Sequence, residues 1–491
     1  MAAPRNISKS RFCVGLQCLR RLWWEIHEPD APELRPDDRL QAVFDRGHRV
    51  GELARERFAN GTLIDFEPWK VAERLEATAA ALRDGANVVF EASFAARGVF
   101  AALDVLERRK LGWGLVEVKA TLDVKEQFLP DVAVQLYAAR ASGVDVRRAE
   151  LMHLNRDCAY PDLDDLFVRE DVTDGVEALQ PAIPRQVRNM RATLDGKLPE
   201  VEPGAQCSSP YDCPFAARCH PELPEHHVST LYRLHPKRLA EFIGAGLETI
   251  HDLPGDVRLS DVAARQVRAV KAGEFVVENG LADALAAIEY PAAFLDFESI
   301  NPPVPVWNGC HPYEAVPVQA SCHVVRSRGR TEHHEHLADG PDDPRPALAE
   351  AVVRACEDAR TVVAYNAGFE ARCLDHLADA VPKLRKPLRA IRGRLVDLLP
   401  IVRDHVYDPA FCGGFGLKAV LPALVPALAY DDLDIADGDT ASTALEALLF
   451  APVDALAMAE RKRLRSNLLA YCRRDTEALV ALAERLSIIA V

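Results

Sequence analysis

Apolar residues recur at strand-like spacing in three stretches, NVVFEASF (87–94), VFAALDVLERR (99–109) and WGLVEVKA (113–120). Before them, DRLQAVFDRGHRVGELARERFAN (38–60) has the spacing of a helix, and after them LPDVAVQLYAARASG (129–143) predicts another. AELMHLNRD (149–157) returns to a strand pattern. Residues 196–227 are rich in Pro and Cys and read as irregular chain, and 228–288 are helical with short glycine-containing turns. A second alternation begins at residue 290. AAFLDFES reads as a strand ending in acids, with PVQASCHVV (317–325) and EHHEHLA (332–338) as partner strands. PRPALAEAVVRACED predicts a helix, RTVVAYN (360–366) a strand, GFEARCLDHLADAV a helix, and the last stretch of chain is largely helical.

This order predicts an α/β protein with three parts: an N-terminal α/β domain over 1–227, a helical connector over 228–288 and a second α/β domain over 289–491. A length of 491 residues accommodates two or three domains, and 49% hydrophobic residues supply a core for each. The absence of an apolar run of transmembrane length and of a signal-peptide pattern sets the expectation of a cytoplasmic protein. In that compartment the 12 cysteines do not read as a disulfide framework. Cys356, Cys373 and Cys472 sit in apolar stretches and read as small buried hydrophobes.

The net charge of −15 argues against a uniformly basic nucleic-acid-coating surface. It is compatible with sites that concentrate carboxylates, and local basic runs remain, among them KLRKPLRAIRGR (383–394) and ERKRLRSN (460–467). Each such run alone reads as a solvated helix face.

Three constellations carry chemistry. In the first, LDVL is followed by EVK. If the two stretches are neighbouring strands, Asp104 and Glu117 lie side by side, and Lys119 shares the face of Glu117 because residues i and i+2 point the same way. Two carboxylates and an ammonium can hold Mg²⁺ or Mn²⁺ and steady a phosphate. Taken alone, the same residues also describe a charged face on a half-exposed strand. In the second, CSSPYDCPFAARC sets Cys207, Cys213 and Cys219 with five residues between successive thiols. Thiolates so arranged suit an iron–sulfur cluster or zinc, and the wide spacing tilts toward the cluster.

In the third, FLDFES places Asp296 and Glu298 on one strand face, YNAGFEARCL sets Glu370 near a helix start, and YCRRDTEALVAL sets Tyr471 and Asp475 one turn apart. Acids delivered by a strand and two later helices can converge on two metal ions, which together clamp a phosphodiester. Asp397 is a further candidate acid, read in preference as a strand-end or helix-cap residue, and Asn366 reads as a residue near the site. GGFGLKAVLP (413–422) reads as a turn before a helix, with Lys418 close to phosphate.

ISKSRFCVGLQCLRRLWW, then LDVL, EVK and QLYAA, then CSSPYDCPFAARC, together resemble the RecB-type PD-(D/E)XK nucleases, and most of all their iron–sulfur subset, which includes the CRISPR-associated RecB-like exonucleases. The resemblance implies a restriction-endonuclease-like core with Asp104, Glu117, Lys119, Gln135 and Tyr137 as catalytic residues. It also implies a [4Fe–4S] cluster on Cys18, Cys207, Cys213 and Cys219, with Cys18 favoured over Cys13 because Arg and aromatic residues follow it. The family's first-helix histidine has no counterpart in register: its place falls on Gly51, with His48 one turn earlier.

Residues 290–485 resemble the DnaQ-like DEDD exonucleases of RNase H-like fold, in their tyrosine subtype. That implies catalysis by Asp296, Glu298, Glu370, Tyr471 and Asp475, with Glu370 standing where aspartate is commoner. The acids Asp104, Glu117, Asp296, Glu298, Glu370 and Asp475 would then bind Mg²⁺ or Mn²⁺. The expected function is a metal-dependent nuclease, exonucleolytic on single-stranded DNA or DNA ends, in repair or defence. The rival reading is a nucleic-acid-binding scaffold whose nuclease sites have decayed.

Overall fold

The computed structural model describes residues 6–220, 222–327, 330–451 and 458–490. In it the three alternating stretches become the strands Val88–Ala96, Val99–Arg108 and Trp113–Lys119. The first two are antiparallel and turn through Arg97 and Gly98, both at positive φ, which suits the twist of a two-residue hairpin. Trp113–Lys119 pairs antiparallel with Val99–Arg108 and parallel with Val146–Leu154. A parallel neighbour requires a crossover, and the helix Leu129–Ala141 supplies it. That helix is buried from Val132 through Leu136, which explains its almost uniformly apolar sequence.

Thr62–Leu63 and Phe167–Asp171 extend the sheet at its two ends, and Ile7–Ser8 adds in parallel beside Val99–Arg108, giving seven strands in all. The strand expected over 149–157 begins earlier, at Val146, and ends at Leu154, because Asn155–Asp157 form a turn. Helices that the pattern did not mark are present as well, among them Lys9–Gln17, Leu19–His27, Val71–Arg83, Thr173–Leu179 and Ile183–Asp195.

The second sheet has five strands in the order Arg330–Leu337, Val316–Ser327, Ala292–Ile300, Thr361–Ala364, Leu395–Asp397. The first three are antiparallel, and the last two run parallel to Ala292–Ile300. The central strand is buried on both faces, so AAFL reads as a continuous apolar run. Ala293, Leu295 and Phe297 pack with the helices Arg345–Ala355 and Gly368–Ala380. Ala292 and Phe294 face the opposite core, together with Leu479, Leu482 and Leu486 of the long helix Met458–Ile489.

The chain divides into two units, Met1–Pro221 with Pro302–Tyr313, and Glu222–Asn301 with Glu314–Val491. These boundaries differ from the three consecutive parts read from the sequence. Residues 228–288 are not a separate connector: Val228, Phe242, Ile250 and Val270 share one core with Phe294 and Leu482. Residues 302–313 belong to the first unit, where His311 Nδ1 pairs with the Cys158 carbonyl at 2.9 Å and the Tyr313 hydroxyl donates to the Ala120 carbonyl at 2.6 Å. Among the described residues, no helix is long and apolar enough to cross a membrane.

Candidate active sites and a four-cysteine cavity

In the first unit two adjacent central strands of the sheet bring Asp104, Glu117 and Lys119 together. One position past the paired Val105 and Val116, Asp104 accepts the amide of Val118 at 2.8 Å. Lys119 Nζ donates to Glu117 Oε1 at 2.7 Å and to Asp131 Oδ2 at 2.6 Å. Gln135 Nε2 reaches Glu117 Oε2 at 2.7 Å and Asp131 Oδ1 at 3.3 Å. Asp131 and Gln135 are one turn apart on the crossover helix and share a face. Tyr137, two residues further on, lies on another side of the helix, and its ring packs partly buried against the hydrophobic core. It is therefore not one of the residues gathered around Glu117.

A second ammonium enters from the N-terminal segment. Ile7 is buried and pairs with Val99, and Ser8 caps the following helix by accepting the Arg11 amide. Lys9, the first helical residue, then places Nζ 3.0 Å from Glu117 Oε1 and 3.8 Å from Asp104 Oδ1. Burial works against the Glu117 charge, but Lys119 and Lys9 outweigh it and hold the carboxyl well below its usual range. Burial, reinforced by Glu117, pushes Asp104 up to about 7. His48 is exposed on the helix Asp38–Arg55, and a Cβ at Gly51 would meet nothing within 4 Å.

Cys18, Cys207, Cys213 and Cys219 line one cavity, together with Arg21 and Trp24. All four are unpaired by disulfides. Cys13 lines a different cavity, beside Lys9 and Asp131. Arg20 Nη1 approaches Cys219 Sγ at 3.7 Å, and Gln17 Nε2 donates to the carbonyls of Gln206 at 2.8 Å and Tyr211 at 2.6 Å, tying the first helix to the cysteine loop. Among the described residues no three of these sulfurs fall within 4.8 Å of one another. That is wider than the sulfur–sulfur separation of about 3.8 Å in a tetrahedron built on zinc–sulfur bonds of about 2.3 Å.

The second unit gathers its acids differently. Asp296 and Glu298 project from the central strand, and Cys472 Sγ donates to Asp296 Oδ2 at 3.4 Å from the long C-terminal helix. These three residues offer ligand atoms within 4.8 Å of one another. One turn past Tyr471, Asp475 accepts a short hydrogen bond from the Tyr430 hydroxyl. Glu370 sits in the first turn of Gly368–Ala380, only 3% exposed, and its Oε2 has no hydrogen-bond partner. Asp397 ends its strand and caps the next helix through the Leu399 amide at 2.9 Å. It also accepts the amides of Asn366 at 2.8 Å and Ala367 at 3.1 Å, which holds the turn that leads to Glu370. Asn366 takes up positive φ there.

Unlike the first unit's acids, these have little positive charge beside them. Burial, with Asp475 and Glu298 as neighbours, pushes Asp296 well up, and burial pushes Glu298 likewise. Glu370 rises to about 7 and Asp475 to about 6, again chiefly by burial. Lys418 acts on Glu298 and Asp475, Arg474 on Asp475 and Arg372 on Glu370; Lys418 Nζ is 3.3 Å from the Tyr471 hydroxyl and lies over the Tyr430 and Tyr471 rings at 5.1 and 5.3 Å. A cavity of about 820 Å³ opens onto Asp296, Glu298, Asn366, Lys418, Tyr471 and Asp475.

Sequence reasoning assigned no role to Lys9, Asp131 or Tyr430, and it read Cys472 only as a buried hydrophobe. Asp131 was findable as the residue one turn before Gln135. Tyr430 lies in an irregular loop with no periodic signal.

The carboxylate set falls partly within a region that matches a family model. Residues 293–415 match a family described as a domain of unknown function, DUF2779, which takes in Asp296, Glu298 and Glu370 but not Tyr430, Tyr471 or Asp475. No curated protein matches the chain.

Proposed function

We propose that the protein is a metal-dependent nuclease whose hydrolytic site is the acid cluster of the second unit. The observation that carries this reading is the gathering of Asp296, Glu298 and Asp475 on a large open cavity, with the buried Glu370 close enough to act on Asp296 and Glu298, and with too little positive charge to outweigh their burial. Buried like charges are costly unless an ion neutralises them. Hard carboxylate oxygens suit Mg²⁺ or Mn²⁺. Such ions, when bound, activate water and neutralise charge on the scissile phosphate.

The remaining roles belong to the chain. Asp296, Glu298, Glu370 and Asp475 supply the oxygens. Tyr430 holds the Asp475 carboxylate in one orientation. Lys418 presses its ammonium against the Tyr471 hydroxyl and leaves both facing the cavity, where a phosphate and the attacking water would sit. The likeness to DEDD exonucleases of the tyrosine subtype agrees with this arrangement. It favours an unpaired DNA terminus as substrate.

The first unit we assign to the RecB-like PD-(D/E)XK class, with a [4Fe–4S] cluster on Cys18, Cys207, Cys213 and Cys219. Its acids as they stand do not fit a metal ion, because both oxygens of Glu117 are already filled by N–H donors. That observation favours a second reading for this unit alone, in which it binds nucleic acid without cutting.

The test is cleavage of labelled single-stranded DNA with Mg²⁺ or Mn²⁺ by the full chain and by Asp296→Ala and Lys119→Ala separately. Loss of cleavage by at least about 100-fold in Asp296→Ala, with Lys119→Ala active, is the expected outcome. Cleavage that survives Asp296→Ala and disappears in Lys119→Ala would move the activity to the first unit. No cleavage of DNA or RNA with either metal would leave a scaffold.

A further inference from the structure

The two acid sites differ in one respect that the sequence motifs do not show: the first unit already holds a cation between its two carboxylates. Lys9 Nζ contacts Glu117 Oε1 at 3.0 Å and Oε2 at 3.3 Å, and stands 3.8 Å from Asp104 Oδ1. Lys119 and Gln135 take further positions on the same carboxylate, so Glu117, 1% exposed, is saturated. A divalent ion bonds to carboxylate oxygens at about 2.1 Å and needs their lone pairs unobstructed. An ammonium and such an ion cannot occupy the space between Asp104 and Glu117 together. We propose that Lys9 is a resident counter-cation at Asp104 and Glu117, and that a divalent metal binds there only by displacing it.

The geometry makes Lys9 a built feature of the site. Its backbone is fixed by the Ile7–Val99 pairing and the Ser8 cap on one side, and by the tie of Gln17 to the cysteine loop on the other. The charge count matches as well: Asp104, Glu117 and Asp131 face Lys9 and Lys119, leaving a single uncompensated negative charge. A displaced Lys9 has somewhere to go, because it borders a cavity of about 780 Å³ that also meets Lys119, Asp131 and Gln17.

This inference rests on reading Asp104 and Glu117 as a nuclease-type metal pair, and its test is separate from cleavage. In the full chain carrying Asp296→Ala and Glu298→Ala, which silences the second site, bound Mn²⁺ is counted from the electron paramagnetic resonance of the free ion. Lys9→Met and Lys9→Gln should bind Mn²⁺ at least 10-fold more tightly than the Lys9 parent, and Lys9→Arg, which keeps the charge, should stay at the parent's level. Equal or weaker binding by Lys9→Met and Lys9→Gln overturns the proposal, as does the absence of Mn²⁺ binding in every variant. A crystal structure of the unmutated chain grown with Mn²⁺ gives a check that needs no substitution. Mn²⁺ on Asp104 and Glu117 with Lys9 drawn away supports the displacement, and Mn²⁺ there with Lys9 still against Glu117 refutes it. Assignment of the nuclease to the second unit stands or falls on Asp296→Ala and is unaffected by either result.

Discussion

Replacing Glu370 by glutamine tests whether the second unit's acids are strained in the absence of a cation. The folded protein raises this carboxyl from 4.5 to about 7, and the residue is only 3% exposed, so solvent screening discounts little of the effect. A group whose pKa rises on folding binds protons more tightly in the folded state. Its cost to stability is therefore absent below about pH 4.5, grows between there and pH 7, and is complete above. At 1.36 kcal/mol per pH unit, the full cost is about 3 kcal/mol.

Glu370→Gln keeps the shape and removes the titration. Without divalent metal at pH 8 it should therefore be the more stable protein by up to about 3 kcal/mol, or about 6–12 °C in the melting temperature of a unit this size. Near pH 4.5 the two proteins should melt together. Added Mn²⁺ should stabilise the wild type far more than the variant, because one of the oxygens that holds the ion has gone. Thermal unfolding across that pH range, with and without Mn²⁺, is the assay. Equal stability at pH 8 together with an equal response to Mn²⁺ would refute the view that Glu370 belongs to an uncompensated metal-binding set.

Two further outcomes test other parts of the molecule. Purified protein should be brown and contain iron; Cys213→Ala should lose both, and Cys13→Ala, whose thiol lines another cavity, should keep both. A colourless wild type carrying one zinc ion would defeat the cluster. Gly413→Ala should destabilise the second unit by about 2–4 kcal/mol in urea unfolding, since φ there is +85° and a Cβ would lie 1.9 Å from the Thr230 carbonyl oxygen; a change below about 0.5 kcal/mol would show that the turn relaxes freely.

What could be read from the sequence follows from the range of the interactions involved. Strand alternation is local, so Glu117 with Lys119, and Asp296 with Glu298, were placed on shared faces before any fold was known, and the structure joins the first pair by a hydrogen bond. Helix spacing is local too, which put Tyr471 and Asp475 one turn apart. Tyr137 came from the family resemblance alone, and helix spacing separates it from its neighbour: a two-residue step changes side, so the ring packs against the core while Gln135 reaches Glu117.

What was missed depends on contacts between residues far apart in the chain. Lys9 meets Glu117 across 108 positions, Tyr430 meets Asp475 across 45 and Cys472 meets Asp296 across 176, and none of the three carries a periodic signal of its own. The connector was misplaced for a related reason. Its helices looked self-contained because each buries a single apolar stripe, but the surface receiving those stripes is formed by Phe294, Val363 and Leu482, which only the later chain supplies.

The same distinction separates the two acid sites. Their motifs look alike in sequence, two carboxylates at strand ends, but a motif does not record which cations arrive from elsewhere. In the first unit two lysines, one from the N-terminal helix, balance most of the negative charge. In the second, Lys418, Arg372 and Arg474 act on the acids but do not outweigh their burial, and Glu370 Oε2 has no donor. Demand for a divalent ion is set by that residual charge and not by the motif, which is why the stability of the second unit, measured with and without Mn²⁺, is the more sensitive indicator of a working metal site.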